Sequence, residues 1–205
     1  MFRKFFKNKS INQPKFEIFQ NFDESLDYLI KNSINEFVVK STDNSGSRGF
    51  HHIKNIKDYN NEIFNDSILN GSTGKVLIEE LIVPINNGIS EISVETVWSE
   101  GKMYFINMVD RLFRNDLQYL TDKNLHNFDI PWGVELGHIN PSTHNFETKR
   151  SIIKEITKAG KFLGFDKTKY PCILKYDIML SKNGPYILEM TPRLSGGWDS
   201  SMSSI

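Results

Sequence analysis

The chain has 205 residues, of which 25 are basic and 25 acidic, so its formal net charge is zero. That balance argues against a general nucleic-acid or membrane-surface role, and the single cysteine, Cys172, excludes an internal disulfide and argues against a thiolate zinc site. Hydrophobic content of 39% with 12% aromatic residues is enough for a packed core, in one large domain or two small lobes.

Met1 to Phe6 is basic and aromatic, but Lys7 and Lys9 follow at once, so it lacks the apolar run of a signal peptide. No later stretch is long and apolar enough to span a bilayer. No membrane or nucleic-acid partner is expected, and the expected compartment is the cytoplasm. Phe2, Phe5 and Phe6 lie at helical spacing and predict a short helix ending before Pro14, with the phenylalanines in the core. Asp23 to Asn32 predicts a second helix, capped by Asp23, with Leu26, Leu29 and Ile30 buried. Phe37 to Lys40 reads as a strand, and a small polar loop, Ser41 to Gly49, follows it. Phe50 to Ile53 resumes the strand pattern, and Asp58 to Leu69 reads as a helix stopped by Asn70-Gly71. Val76 to Val83 is an apolar strand carrying Glu79 and Glu80, with a lobe boundary expected between Glu79 and Pro84. Glu91 to Trp98 and Met103 to Val109 form a hairpin around Ser99 to Lys102. Arg111 to Pro131 reads as a long loop with a short helix, and Trp132 to Ile139 as a strand. Thr148 to Leu163 is the clearest helix, with Ile152, Ile153, Ile156, Ala159, Phe162 and Leu163 on its apolar face and Gly164 ending it.

The chain then enters a second hairpin, Tyr176 to Arg193, in which Asp177 and Glu189 interrupt two apolar runs around Asn183-Gly184. Alternation places Glu189, Thr191 and Arg193 on one face. A two-residue Asn183-Gly184 loop would pair Asp177 with Met190. A three-residue loop, Lys182 to Gly184, pairs Asp177 with Glu189, and Gly184 in the left-handed position of a bulged turn favours this register. Two carboxylates and an arginine gathered there call for a cation or a phosphate.

Other residues carry weaker signals. Ser45-Gly46-Ser47-Arg48-Gly49 offers backbone N–H groups and a charge to a phosphate chain, although a Gly/Ser segment between strands is ordinarily just a turn. It is not a Walker-type loop, because no Gly-Lys-Ser/Thr follows. Lys40 is either an outward-facing lysine or a cation directed at phosphates. Glu79-Glu80, inside the apolar run Val76 to Val83, is either a solvated edge or part of a connecting strand that grips a planar base. The five histidines lack metal spacing and read as structural, with His138 the one candidate for a pocket wall.

The order of these pieces resembles the ATP-grasp superfamily and its carboxylate–amine ligase branch, which includes carbamoyl-phosphate-synthase-like and glycinamide-ribonucleotide-synthetase-like enzymes. The matching stretches are Phe37 to Lys40 with Gly46 to Gly49, Val76 to Leu81, Ser93 to Thr96, Gly133 to His138 with Pro141, and Tyr176 to Gly197. The resemblance implies an α+β fold with two lobes of antiparallel sheet plus helices and ATP between them. It implies a nucleotide lobe near 35–82 and a larger lobe near 83–205 that also holds the N-terminal helices. By the same resemblance Lys40 contacts ATP phosphates, Gly46, Ser47, Arg48 and Gly49 form a flap over them, and Glu79, Glu80, Leu81 and Ile82 hold adenine. Glu91 binds the ribose, with Glu95 as the alternative. Asp177 and Glu189 hold Mg2+, with Thr191 standing where the family usually has Asn. Arg193 steadies the transferred phosphoryl group, and Ser195-Gly196-Gly197 borders the acceptor. The implied reaction joins a carboxylate to an amine or similar nucleophile through an acyl phosphate. The family's usual preceding α/β domain and its C-terminal extension are missing from the resemblance. The resemblance therefore leaves three expectations, a fragment, half of a split enzyme whose partner chain supplies the missing domain, or a degenerate remnant, and the alternative to the ligase is a non-catalytic or vestigial Mg-ATP-binding module.

Overall fold

The computed structural model describes residues 3–7, 9–43, 46–85, 88–119 and 133–195. Phe2, Ser45, Trp132, Gly196 and Gly197 lie outside them, as does most of the loop expected over 111–131. Two antiparallel sheets with a few helices make the fold α+β, as the sequence predicts. The chain forms two compact units. Among the described residues one contains 14–81 with 133–134, and the other contains 3–13, 82–119 and 135–195.

The first unit is a four-stranded sheet in the order β1-β4-β2-β3, made of β1 (Phe16–Phe19), β2 (Phe37–Ser41), β3 (His51–Ile53) and β4 (Val76–Glu80). Phe37 and Val39 of β2 and Val76 and Ile78 of β4 alternate into one core with Leu29, Tyr59 and Phe64. Leu29 comes from helix α2 (Phe22–Lys31) and Phe64 from helix α3 (Asn61–Leu69). β1 has no counterpart among the sequence expectations. Four residues are too few to display a period, although Phe16 is buried.

Helix starts differ from expectation because asparagines cap them. Asn21, not Asp23, caps α2 by accepting from Glu24 N–H, which leaves Asp23 in the first turn beside the positive end of the helix dipole. Asn60 caps α3 in the same way, so the helix begins at Asn61 and not at Asp58. Ile30, expected in the core, is 61% exposed. α2 also belongs to the first unit, whereas the sequence grouping put both N-terminal helices in the larger lobe.

The second unit is a five-stranded sheet in the order β7-β6-β5-β8-β9. Its strands are β5 (Glu91–Ser99), β6 (Lys102–Leu112), β7 (Gly137–Ile139), β8 (Cys172–Ser181) and β9 (Gly184–Thr191). Glu100 and Gly101, both at positive φ, make the tight β5–β6 turn. One sheet face carries Ile92, Val94, Met108, Tyr176, Ile178 and Ile187 against Ile152, Ile156 and Ala159 of helix α4 (Phe146–Phe162). Gly160 of α4 lies against the ring of Trp98. The N-terminal helix α1 (Arg3–Phe6) joins this core through Phe6, whose ring meets Phe162 edge-on at 6.0 Å. Phe5, expected to be buried, is 63% exposed, and the buried neighbour of Phe6 is Arg3.

The candidate active-site face of the second unit

Residues directly opposite in an antiparallel pair point the same way, so the register defines the face away from the core. Glu91 pairs with Arg111, Ser93 with Asp177, and Glu95 with both Asn107 and Lys175. Asp177 pairs with Glu189 and Lys175 with Thr191. The second sheet is therefore mainly apolar toward α4, with the buried Asp110 opposite Ile92 as an exception, and gathers these charged side chains on its other side. The acids that interrupt apolar runs in the sequence mark this polar face.

The expected Asp177–Glu189 pairing is present, but the turn is not the expected one. Ser181 pairs with Gly184, so the loop is the two residues Lys182-Asn183. Pairing stays regular to Ile178 opposite Ile187 and then steps to Asp177 opposite Glu189, leaving Leu188 as the extra residue of a β-bulge. A two-residue turn plus a bulge thus gives the pairing that a three-residue turn would have given. Gly184, at φ +103, begins β9 and does not lie within the loop. β9 ends at Thr191, so the strand alternation that was to carry Arg193 onto the face stops short of it. Arg193 is exposed, and its Nη1 donates to Leu194 O at 2.8 Å.

Arg111 is the electrostatic centre. Its Nη1 lies 2.6 Å from Glu91 Oε1 and 3.4 Å from Asp177 Oδ2, and its Nη2 lies 2.8 Å from Glu135 Oε2. Burial works against the guanidinium charge, but Asp177, Glu91 and Glu135 together outweigh it and hold the pKa above its ordinary value. Lys175 Nζ donates to Asp177 Oδ2 at 2.7 Å. Neither cation was among the site residues expected from sequence. Lys175 stands two residues before Asp177 on the same strand, and Arg111 follows from continuing the β6 alternation two residues past Val109. Those spacings were the available signals.

Three buried oxygens on this face, Ser93 Oγ, Asp177 Oδ1 and Thr191 Oγ1, have no hydrogen-bond partner among the described residues. Buried polar atoms of this kind ordinarily have one. Among the described residues no group of three or more His, Cys, Asp or Glu can hold a metal. A cation that needs many protein carboxylates therefore does not fit. Magnesium does, because it takes one or two carboxylates, keeps waters and shares phosphate oxygens. Glu189, directly opposite Asp177, is exposed. Glu95 is 2% exposed, and its Oε1 accepts the Ser195 N–H. Glu91 is less buried and bonds to Arg111.

The remaining expected residues lie mainly in the first unit. Lys40 Nζ is 2.7 Å from Glu79 Oε1 on the face of β2 and β4 away from the core. Glu79 therefore presents its side chain to Lys40. The Glu80 N–H donates to Lys15 O, and its carboxylate accepts the Lys15 N–H, so this N–H is not offered to a ligand. Leu81 is half-buried at the end of the first unit, and Ile82 is buried in the second. Gly46, at φ +70, has open space around it. Ser47 Oγ donates to Gly133 O at 2.6 Å, and Arg48 is exposed. Gly49, at φ +64, packs closely on α3, and Ser67 Oγ donates to its carbonyl.

Residues 1–196 match the phosphoribosylglycinamide synthetase ATP-grasp (A) domain. The chain belongs to that ATP-grasp family. Solved structures repeat the fold. A phosphoribosylamine–glycine ligase from Thermotoga maritima is 21% identical with a TM-score of 0.70, over 94% of this chain and 46% of that one. A biotin carboxylase from Campylobacter jejuni, solved as a β,γ-ATP complex, is 16% identical with a TM-score of 0.71, over 98% of this chain and 41% of that one. A phosphoribosylglycinamide synthetase from Anaerococcus prevotii is 19% identical with a TM-score of 0.54, over 94% and 41%. The chain thus spans less than half the length of each of these three. A search of the curated proteins found no match.

Proposed function

We propose that this ATP-grasp chain binds Mg-ATP and activates a small-molecule carboxylate as an acyl phosphate, for capture by an amine or a similar nucleophile. The observation that carries this reading is Asp177 opposite Glu189, on a sheet face where the buried Asp177 Oδ1 and Thr191 Oγ1 lack partners among the described residues. Asp177 and Glu189 would hold Mg2+, with the Thr191 hydroxyl as a lesser donor in place of an amide. Bound there, the metal would supply positive charge to neighbouring phosphate oxygens.

The chain's own residues do the rest by placing charge. Phosphoryl transfer depends on positioning and on neutralising oxygens more than on covalent help from the protein. Lys40, Arg48 and the Gly46–Gly49 backbone are the proposed phosphate donors from the first unit, and Arg193 is the proposed donor to the transferred phosphoryl group. Glu79 to Ile82 is the proposed adenine-holding segment, without the Glu80 N–H. Glu91 is favoured over Glu95 for the ribose hydroxyls, because Glu95 is buried and already accepts the Ser195 N–H.

The test is Mg2+-dependent ADP release that requires an added carboxylate, compared in wild type, Asp177→Asn and Glu189→Gln. Loss of release in both variants is expected. Release that continues unchanged in both removes the assigned roles. Nucleotide binding without any turnover points to a binding module.

A further inference from the structure

The pairing of Asp177 with Glu189 depends on the bulge at Leu188, and the bulge has a partner far away in sequence. β9 is an edge strand, and residues of the N-terminal segment lie along its free side. The Ile187 N–H donates to Asn12 O at 2.9 Å. Arg3 Nη2 donates to Leu188 O, the carbonyl of the bulged residue itself. Arg3 is 2% exposed. The segment around it is fastened at several points. Gln13 Nε2 donates to Arg3 O, the Asn12 N–H donates to Glu155 Oε1 of α4, and Phe6 is buried in the core. A bulge leaves one residue outside the regular ladder, so its carbonyl needs a donor from elsewhere. Arg3 is that donor.

The geometry points to Arg3 as a positioning residue for the metal seat, acting through the Leu188 bulge. This rests on the reading of Asp177 and Glu189 as metal ligands. With the Lys182-Asn183 turn and no bulge, regular pairing would put Leu188, not Glu189, opposite Asp177. A one-residue slip of that kind turns every later side chain of β9 to the other face, Thr191 included. Arg3 therefore holds the register that places Glu189 and Thr191 beside Asp177, through its bond to Leu188 O. It follows that deleting Leu188 restores Glu189 opposite Asp177 by regular pairing, and makes Arg3 dispensable for the site.

The test uses the full chain and reads Mn2+ binding in the presence of ADP by electron paramagnetic resonance, with thermal unfolding measured alongside. Asp177→Asn is the reference for the site and is expected to lose Mn2+ binding. Arg3→Met is expected to weaken Mn2+ at least tenfold in protein that is still folded, and Arg3→Lys, which keeps a donor, to recover part of it. In chain lacking Leu188, Mn2+ affinity is expected near wild type, and adding Arg3→Met is expected to change it less than twofold. If Arg3→Met does not fold, Arg3→Lys with and without Leu188 makes the same comparison. An Arg3 variant that melts earlier but binds Mn2+ as wild type does overturns the inference and leaves the site reading intact. So does an equal loss of Mn2+ with and without Leu188. Unchanged Mn2+ binding in Asp177→Asn instead overturns the site reading beneath it.

Discussion

Arg111 and Glu91 stand opposite one another on β6 and β5, with Nη1 and Oε1 2.6 Å apart. Together with Lys175 on Asp177, Arg111 accounts for how a mostly buried sheet face tolerates its acids. The guanidinium fork meets Glu91, Asp177 and Glu135, and is itself only 16% exposed. An ammonium has no such fork and does not pair in this planar way.

Replacing Arg111 should therefore be expensive. Arg111→Met takes the guanidinium away from Glu91 and Asp177 in partly buried positions and leaves Asp177 with Lys175 Nζ, and breaking a buried ion pair from one side costs about 3 kcal/mol. For a chain of this size that is a fall in melting temperature of about 6–12 °C. Glu135 is 38% exposed, so solvent screens its share, and Glu135→Gln should cost no more than about 1 kcal/mol. Thermal unfolding of the two variants checks the order. A Glu135 effect equal to that of Arg111 would contradict the assignment of Arg111 as the centre.

The same sheet limits its other face. An ideal Cβ on Gly160 would lie 2.1 Å from Trp98 Cζ2, and Trp98 is fully buried. Propensity alone favours Gly160→Ala, because alanine in a helix interior is better than glycine by about 1 kcal/mol. Overpacking opposes it, at about 1–3 kcal/mol or more where a ring must move. A contact this close is expected to decide the sign, so Gly160→Ala should lower the denaturant midpoint. Adding Trp98→Phe, which shortens the ring system at the clash, should recover part of the loss. A stabilising Gly160→Ala would show that α4 shifts freely on the sheet.

Much of this was legible in the chain because the signals were local. β2, β4, β5, β8 and α4 announce themselves by period, and the acids of β5, β8 and β9 stand out against apolar neighbours. Four things were not legible, for reasons of physics. β1 is too short to show a period, and it is a strand because it pairs with β4. The Leu188 bulge has no local signature, since its donor, Arg3, lies 185 residues away. Arg3 itself looks like a solvated charge in a lysine-rich segment, and only the tertiary fold puts it inside. Arg111 was hidden by its position at the entrance to a polar stretch, although it is the tenth residue of a strand.

Two tyrosines make the fold sensitive to alkali. Tyr176 is fully buried, and burial pushes its hydroxyl up to about 12, even though bonds from Trp98 and Thr96 act the other way. Burial also pushes Tyr59 in the first unit up to about 12, against the effect of its bond to Ser25. In the unfolded chain both ionise near pH 10. Above that pH the unfolded state has released protons that the folded state retains, so stability falls as pH rises. The contribution is intact below pH 10 and is lost as pH climbs from about 10 through 12. A shift of two units corresponds to about 3 kcal/mol for each tyrosine at full loss. Melting curves at pH 9 and pH 11 should therefore separate clearly in wild type. Tyr176→Phe removes one of the two groups, so the gap between its curves should be narrower, even if the lost Trp98 bond lowers its stability at pH 9. An undiminished gap in Tyr176→Phe would mean that other groups carry the alkaline transition.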